Sequence, residues 1–104
     1  MIISTTNYVP GREVTQILGI VKGNTVRSRH LGKDFVALLK NVVGGEIEEY
    51  TKLIAEAREQ ALDRMITQAK VLGADAVIDV RFSTSYIMTN ASEILAYGTA
   101  VKLK

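Results

Sequence analysis

Glu46 and Glu49 stand three residues apart, directly after two glycines, in the stretch "NVVGGEIEEY". On a helix that spacing places two carboxylates on one face, where they could share a divalent cation. The first turn of a helix also favours acids through its dipole, and that simpler role fits Glu46, Glu48 and Glu49 together. His30, the single histidine, is flanked by Arg27, Arg29 and Lys33. It is a further candidate metal ligand, and Arg27 with Arg29 is a candidate anion-binding pair. An exposed basic loop accounts for the same residues. One histidine in a polar stretch gives no Ser-His-Asp constellation.

Soft metals select thiolate and thioether ligands, yet the chain has no Cys and only three Met. Hard ligands could come from Asp34, Glu46, Glu49, Asp75, Asp79 and Glu93, with His30 for zinc, but none stands at a spacing that marks a known site. "HLGKDF" is not a phosphate loop, because Asp34 stands where Ser or Thr must hold magnesium. "GIVKGN" opens no helix and is not a dinucleotide fingerprint. Arg58 lies about 40° from Ile54 around a helix, inside an apolar stripe. A guanidinium there needs a carboxylate or carbonyl partner, or faces a cleft. An ion pair with Asp79 or Glu93 is the structural expectation; contact with a ligand is the functional one.

These residues must be held by a few elements. Met1 to Thr5 reads as a short strand, and "VPG" at residues 9–11 as a type II turn. Val14 to Val26 is rich in β-branched residues, with Gly23-Asn24 either a hairpin turn or a bulge in one long strand. The short distance to the next helical pattern favours the bulge. Asp34 can cap a short helix carrying Phe35, Leu38, Leu39 and Val42, closed by Gly44-Gly45. A long helix from Glu46 to Leu72 places Ile47, Tyr50, Ile54, Ala61, Met65 and Leu72 in one stripe, with Lys70 in its last turn and Gly73 as its stop.

The rest reads as a hairpin. "AVIDVRFS" alternates Ile78, Val80 and Phe82 against Asp79, Arg81 and Ser83. "TSYIMTNAS" is expected to be a loose connection, and "EILAYGTAVKL" the last strand. There Leu95, Tyr97, Val101 and Leu103 share one face, and the small Ala96, Gly98 and Ala100 share the other. Small residues let a helix backbone come close. Both faces of the sheet want cover, and the chain has only one long helix, so a second copy is the simplest source of the remainder.

The 104 residues make one domain, 1–104, able to bury roughly 65% of its unfolded surface. Apolar residues are 47% of the chain with no Trp, so the core is aliphatic. A net charge of +2 and few aromatics among the basic residues argue against a nucleic-acid partner. No run approaches the ~18 apolar residues of a membrane span, and no signal peptide is visible. The expectation is a cytoplasmic protein without a membrane partner.

"GGEI", Tyr50, "EAREQA", "LGADAVIDVRF" and "YGTAVKL", with Pro10-Gly11 and "GIVKGNTV", together resemble the uncharacterised YbjQ-like family, which carries a heavy-metal-binding label. The resemblance covers nearly the whole chain. It implies an α+β fold, an antiparallel sheet packed by one long helix plus a short helix, similar to a dodecin subunit and assembled as a pentameric ring. The positions it carries over are Gly44, Gly45, Glu46, Tyr50, Arg58, Gly73 and Gly98. It places no catalytic residue.

The functional expectation is a homo-oligomeric binding protein, with a divalent metal ion held at subunit interfaces by carboxylate or histidine ligands. The alternative is a dodecin-like holder of a small organic or anionic ligand between subunits, using Gly44, Gly45, Glu46, Tyr50 and Arg58. An enzyme ranks last, because no pair of carboxylates is visibly placed for acid-base work.

Overall fold

The computed structural model describes residues 1–28, 45–88 and 91–104. Among these residues lie strands β1 (Ile2–Ile3), β2 (Val14–Ser28), β3 (Ala76–Met88) and β4 (Ala91–Leu103), with one helix, α1 (Gly45–Val71), between β2 and β3. The sheet order is β1-β3-β4-β2. β1 runs parallel to β3, and the two other pairings are antiparallel. The expected α+β architecture of one sheet and one long helix is therefore present. The short helix expected between Asp34 and Val42 lies outside the described residues.

The turn at residues 9–11 forms as its chemistry requires. Gly11 has φ 76°, and the Arg12 amide donates to the Val9 carbonyl at 3.1 Å, so Pro10 and Gly11 occupy the two central positions of a type II turn. Gly73 ends α1 with φ 75°. Its amide donates to the Lys70 carbonyl at 3.0 Å, and the Ala74 amide donates to the Ala69 carbonyl at 3.1 Å. This pair of bonds is a Schellman cap, which satisfies carbonyls the helix end would otherwise orphan.

α1 lies on the sheet through a row of small residues. Ala57, Ala61, Met65 and Ala69 are fully buried, packed with Val21, Val77, Val80, Ile94, Ala96 and Ala100. The expected small face of β4 is thus the helix face. Gly98 belongs to that face for a different reason. A Cβ there would stand 2.7 Å from Val77 Cγ1 and 3.0 Å from the Ile78 carbonyl, on the neighbouring strand.

Those contacts trace to a bulge in β3. The register passes from Ile78↔Thr99 to Arg81↔Tyr97, so Asp79 and Val80 both oppose Gly98. Asp79 takes a left-handed φ of 53°, which Asp tolerates better than most side chains. The bulge turns two amides outward: Asp79 donates to the Thr6 carbonyl and Val80 to the Ser4 carbonyl, each at 2.9 Å. Arg81 Nη1 adds a bond to the Thr5 carbonyl at 2.9 Å, and the N-terminal segment is fastened to the sheet edge.

The bulge also corrects the expected alternation. Ile78 packs with Val9, Ala76, Val101 and Leu103 on the face away from the helix, whereas Val80 joins the helix-side core. Of the expected loose connection at residues 84–92, residues 84–88 and 91–92 are strand as well. β3 runs to Met88 and β4 starts at Ala91. Past the bulge Phe82, Thr84 and Tyr86 share one face and Ser83, Ser85 and Ile87 the other, and all six are exposed.

Gly23-Asn24 is neither a turn nor a bulge. β2 pairs without interruption from Gly19↔Ala100 to Ser28↔Ala91, and its irregularities lie between Val14 and Gln16 and between Ile17 and Gly19. Gly23 is explained by proximity. A Cβ there would meet the Ala61 carbonyl oxygen at 2.2 Å, the Met65 nitrogen at 2.4 Å and Arg64 Cβ at 2.7 Å.

Two expectations about the helix stripe also change. Leu72 is 44% exposed, because the chain has already left the sheet at the cap. Arg58 is exposed rather than lodged among apolar neighbours. Contact follows an i+4 row, and each step of that row rotates by about 40° around the axis. At the level of Arg58 the sheet meets Ala57, about 100° away, although the average over the whole helix points elsewhere. Among the described residues Arg58 pairs with neither Asp79 nor Glu93; Glu93 instead accepts from Asn24 Nδ2 at 3.1 Å.

Two outcomes follow. Gly23→Ala forces a methyl into helix backbone and should lower unfolding stability by about 2–3 kcal/mol in chemical denaturation; a loss under about 0.5 kcal/mol would contradict the close approach. Arg58→Ala should change stability by less than about 0.5 kcal/mol, whereas truncating one partner of a buried ion pair removes about 3–5 kcal/mol.

Candidate functional site

β2 alternates strictly along its second half. Val21, Gly23 and Thr25 are buried towards α1, and Lys22, Asn24 and Val26 are exposed. Arg27 continues the inward set and is half-buried. Because β2 runs antiparallel to α1, successive β2 positions meet successively earlier turns of the helix. Three helical residues at i+4 spacing reach the strand. Gln68 Oε1 accepts from the Lys22 amide at 2.8 Å, Arg64 Nη1 donates to the Asn24 carbonyl, and Gln60 Oε1 accepts from Arg27 Nη2 at 2.8 Å.

β2 is the last strand of the sheet, so its outer amides and carbonyls lack a neighbouring strand. Gln68 and Arg64 satisfy one donor and one acceptor of that edge. Gln60 holds a charged side chain instead. Next to it the polar accounting fails: Thr25 is 2% exposed, and neither Thr25 Oγ1 nor the buried Arg27 Nε has a hydrogen-bond partner. Buried polar side chains are nearly always paired. The inner face of β2 at Thr25 and Arg27, with Gln60 above it, is therefore the most chemically conspicuous place among the described residues.

The sequence-based candidates fall variously around it. Arg27 is part of this place. Gly45 is the first residue of α1, and Glu46, Glu49 and Tyr50 lie in its first two turns, where the two glutamates suit the positive end of the helix. Arg58 sits two residues before Gln60 and is exposed. Arg29, His30 and Gly44 lie outside the described residues. Among the described residues no group of three or more His, Cys, Asp or Glu is brought together in a way that could hold a metal ion.

Thr25 and Gln60 were not singled out from sequence. The signal was available in part, since placing Val21 and Gly23 inward obliges Thr25 and Arg27 to follow. Gln60 needed the relative direction of strand and helix, which no local pattern carries.

Comparison with known proteins agrees with this architecture. A protein of unknown function of the DUF74 family from Pediococcus pentosaceus superposes with a TM-score of 0.67 at 16% identity, covering 100% of this chain and 98% of that one, a likeness of fold alone. A UPF0145 protein of Archaeoglobus fulgidus is 64% identical over 104 residues, spanning 100% of this chain and 96% of the relative. One from Methanosarcina acetivorans is 54% identical over 103 residues, 99% of this chain and 97% of the relative. The YbjQ family model, described as "Putative heavy-metal-binding", matches residues 1–104. The chain belongs to that family.

Proposed function

We propose that the protein is a cytoplasmic homo-oligomeric binding protein, its subunits arranged as a dodecin-like ring of five, that holds a divalent metal ion between copies. The observation that carries the assembly is apolar surface without cover. Ile17, Ile20 and Val26 along β2 are 70%, 78% and 52% exposed, and Phe82, Tyr86 and Ile87 on β3 are 49%, 90% and 50% exposed. Exposed large apolar side chains in this number suit contact with another protein surface.

The shape supports the same reading. The radius of gyration is 17.2 Å with extents of 55 × 24 × 18 Å, against about 13 Å for a compact domain of this length. The one helix among the described residues covers a single face of so elongated a slab. The number five rests on the family resemblance.

The metal reading is supported by the family description and bounded by the composition. Without cysteine, ligands must be carboxylate oxygens or the histidine, which select hard or borderline ions. A subunit that gathers no triad among its described residues can still contribute one ligand per copy around a symmetry axis. Glu46, Glu49 and His30 are the residues proposed for that contribution.

Native mass spectrometry and sedimentation at micromolar concentration should give an assembly, five copies on this proposal, and a stable folded monomer would overturn it. Elemental analysis of protein purified without an affinity tag should give about one divalent ion per subunit or one per ring; metal-free protein that takes up none on dialysis would remove the metal part. Ile20→Lys combined with Val26→Lys should release subunits while leaving the helical circular dichroism in place.

A further inference from the structure

We propose that Thr25, Arg27 and Gln60 form a binding site for a small oxyanion, a carboxylate or a phosphate, on the inner face of β2 beneath α1. Thr25 and Arg27 are neighbours on one face of the strand, about 7 Å apart along it. The hydroxyl of Thr25 is 2% exposed and unpaired. The Nε–H of Arg27 is buried and unpaired. Both can donate, and each lacks an acceptor.

Among the described residues no carboxylate pairs with Arg27. Its one hydrogen-bonded partner among the described residues, Gln60, is neutral. Glu93 is committed to Asn24 and pairs across from Val26, so it lies on the opposite face. The nearby Arg64 adds a second guanidinium, one N–H of which is used on the Asn24 carbonyl. A half-buried cation with a free N–H, a second cation close by and an unmatched hydroxyl make a place that wants a negatively charged acceptor. A trapped water could serve the hydroxyl, but it would bring no counter-charge to the guanidinium.

Gln60 fixes the guanidinium through Nη2 at 2.8 Å, which leaves Nη2 a second N–H. An incoming oxyanion can therefore take Nε–H and the Thr25 hydroxyl without disturbing the existing bond. This preorganisation separates Arg27 from the freely moving arginines of the surface. The site lies within one subunit, so its test does not depend on the assembly or on the metal.

The test is a titration followed by proton–nitrogen correlation spectra that include the arginine Nε–H signals. Sodium phosphate and sodium acetate are each compared with sodium chloride at matched ionic strength. Saturable shifts at Arg27 Nε–H and the Thr25 amide are expected with phosphate or acetate, and the tighter of the two identifies the ligand class. Arg27→Ala should weaken that binding at least about tenfold.

Thr25→Val keeps the shape and removes the unmatched hydroxyl. It should melt higher than the parent in chloride buffer and yet lose the stabilisation that the anion gives the parent. Absence of any saturable shift at millimolar anion, or equal shifts with chloride, overturns the proposal. Shifts that track protein concentration instead of added anion also overturn it, because they assign the pair to a contact between copies.

Discussion

The helix reaches the sheet with no side chain between them at one point, where Gly23 faces the Ala61 carbonyl and the Met65 nitrogen at distances that exclude even a methyl. Ordinary helix-on-sheet packing is cushioned by interlocking side chains, which can repack when one of them changes. Here backbone meets backbone, and the alanines at 57, 61, 69, 96 and 100 extend the same thin layer along the contact. The geometry of α1 on β2 is thereby set with little freedom. The hydrogen bonds that join Gln60, Arg64 and Gln68 to β2 depend on it, since side chains of that length reach the strand only if the two backbones are close.

Much of this was legible in the amino-acid order. Pro10-Gly11 and Gly73 announced their turn and cap, because each uses a conformation only a few residues adopt readily. The alternation of small with large residues in β4 announced which face would receive the helix. What the order concealed was long-range. The bulge at Asp79 and Val80 interrupts a run that reads as clean alternation, and the residue it opposes, Gly98, comes almost twenty residues later. Gly23 resembles a turn glycine until the helix is placed above it. Arg58 resembles a buried cation because a helix-wide average ignores the rotation of the contact line.

The candidate site was legible only in one residue of three. Arg27 drew notice through its charge, with Arg29 and His30 beside it. Thr25 carries no charge and belongs to a β-rich stretch where threonine is common. Its interest comes from burial without a partner, a property of the folded chain. The family likeness fixes the architecture of such a chain more firmly than its chemistry, and the absence of cysteine removes thiolate from that chemistry.

The bulge in β3 has one more effect, on how the molecule comes apart. Ile78 and Val80 are separated by a single residue yet belong to the two apolar clusters on opposite sides of the sheet. Adjacent Ala100 and Val101 in β4 divide between the same two clusters. Neither cluster can loosen without dragging on the pair of strands that anchors the other. The two layers are stitched into a single melting unit at that end of the sheet, and partial opening must begin elsewhere along the slab.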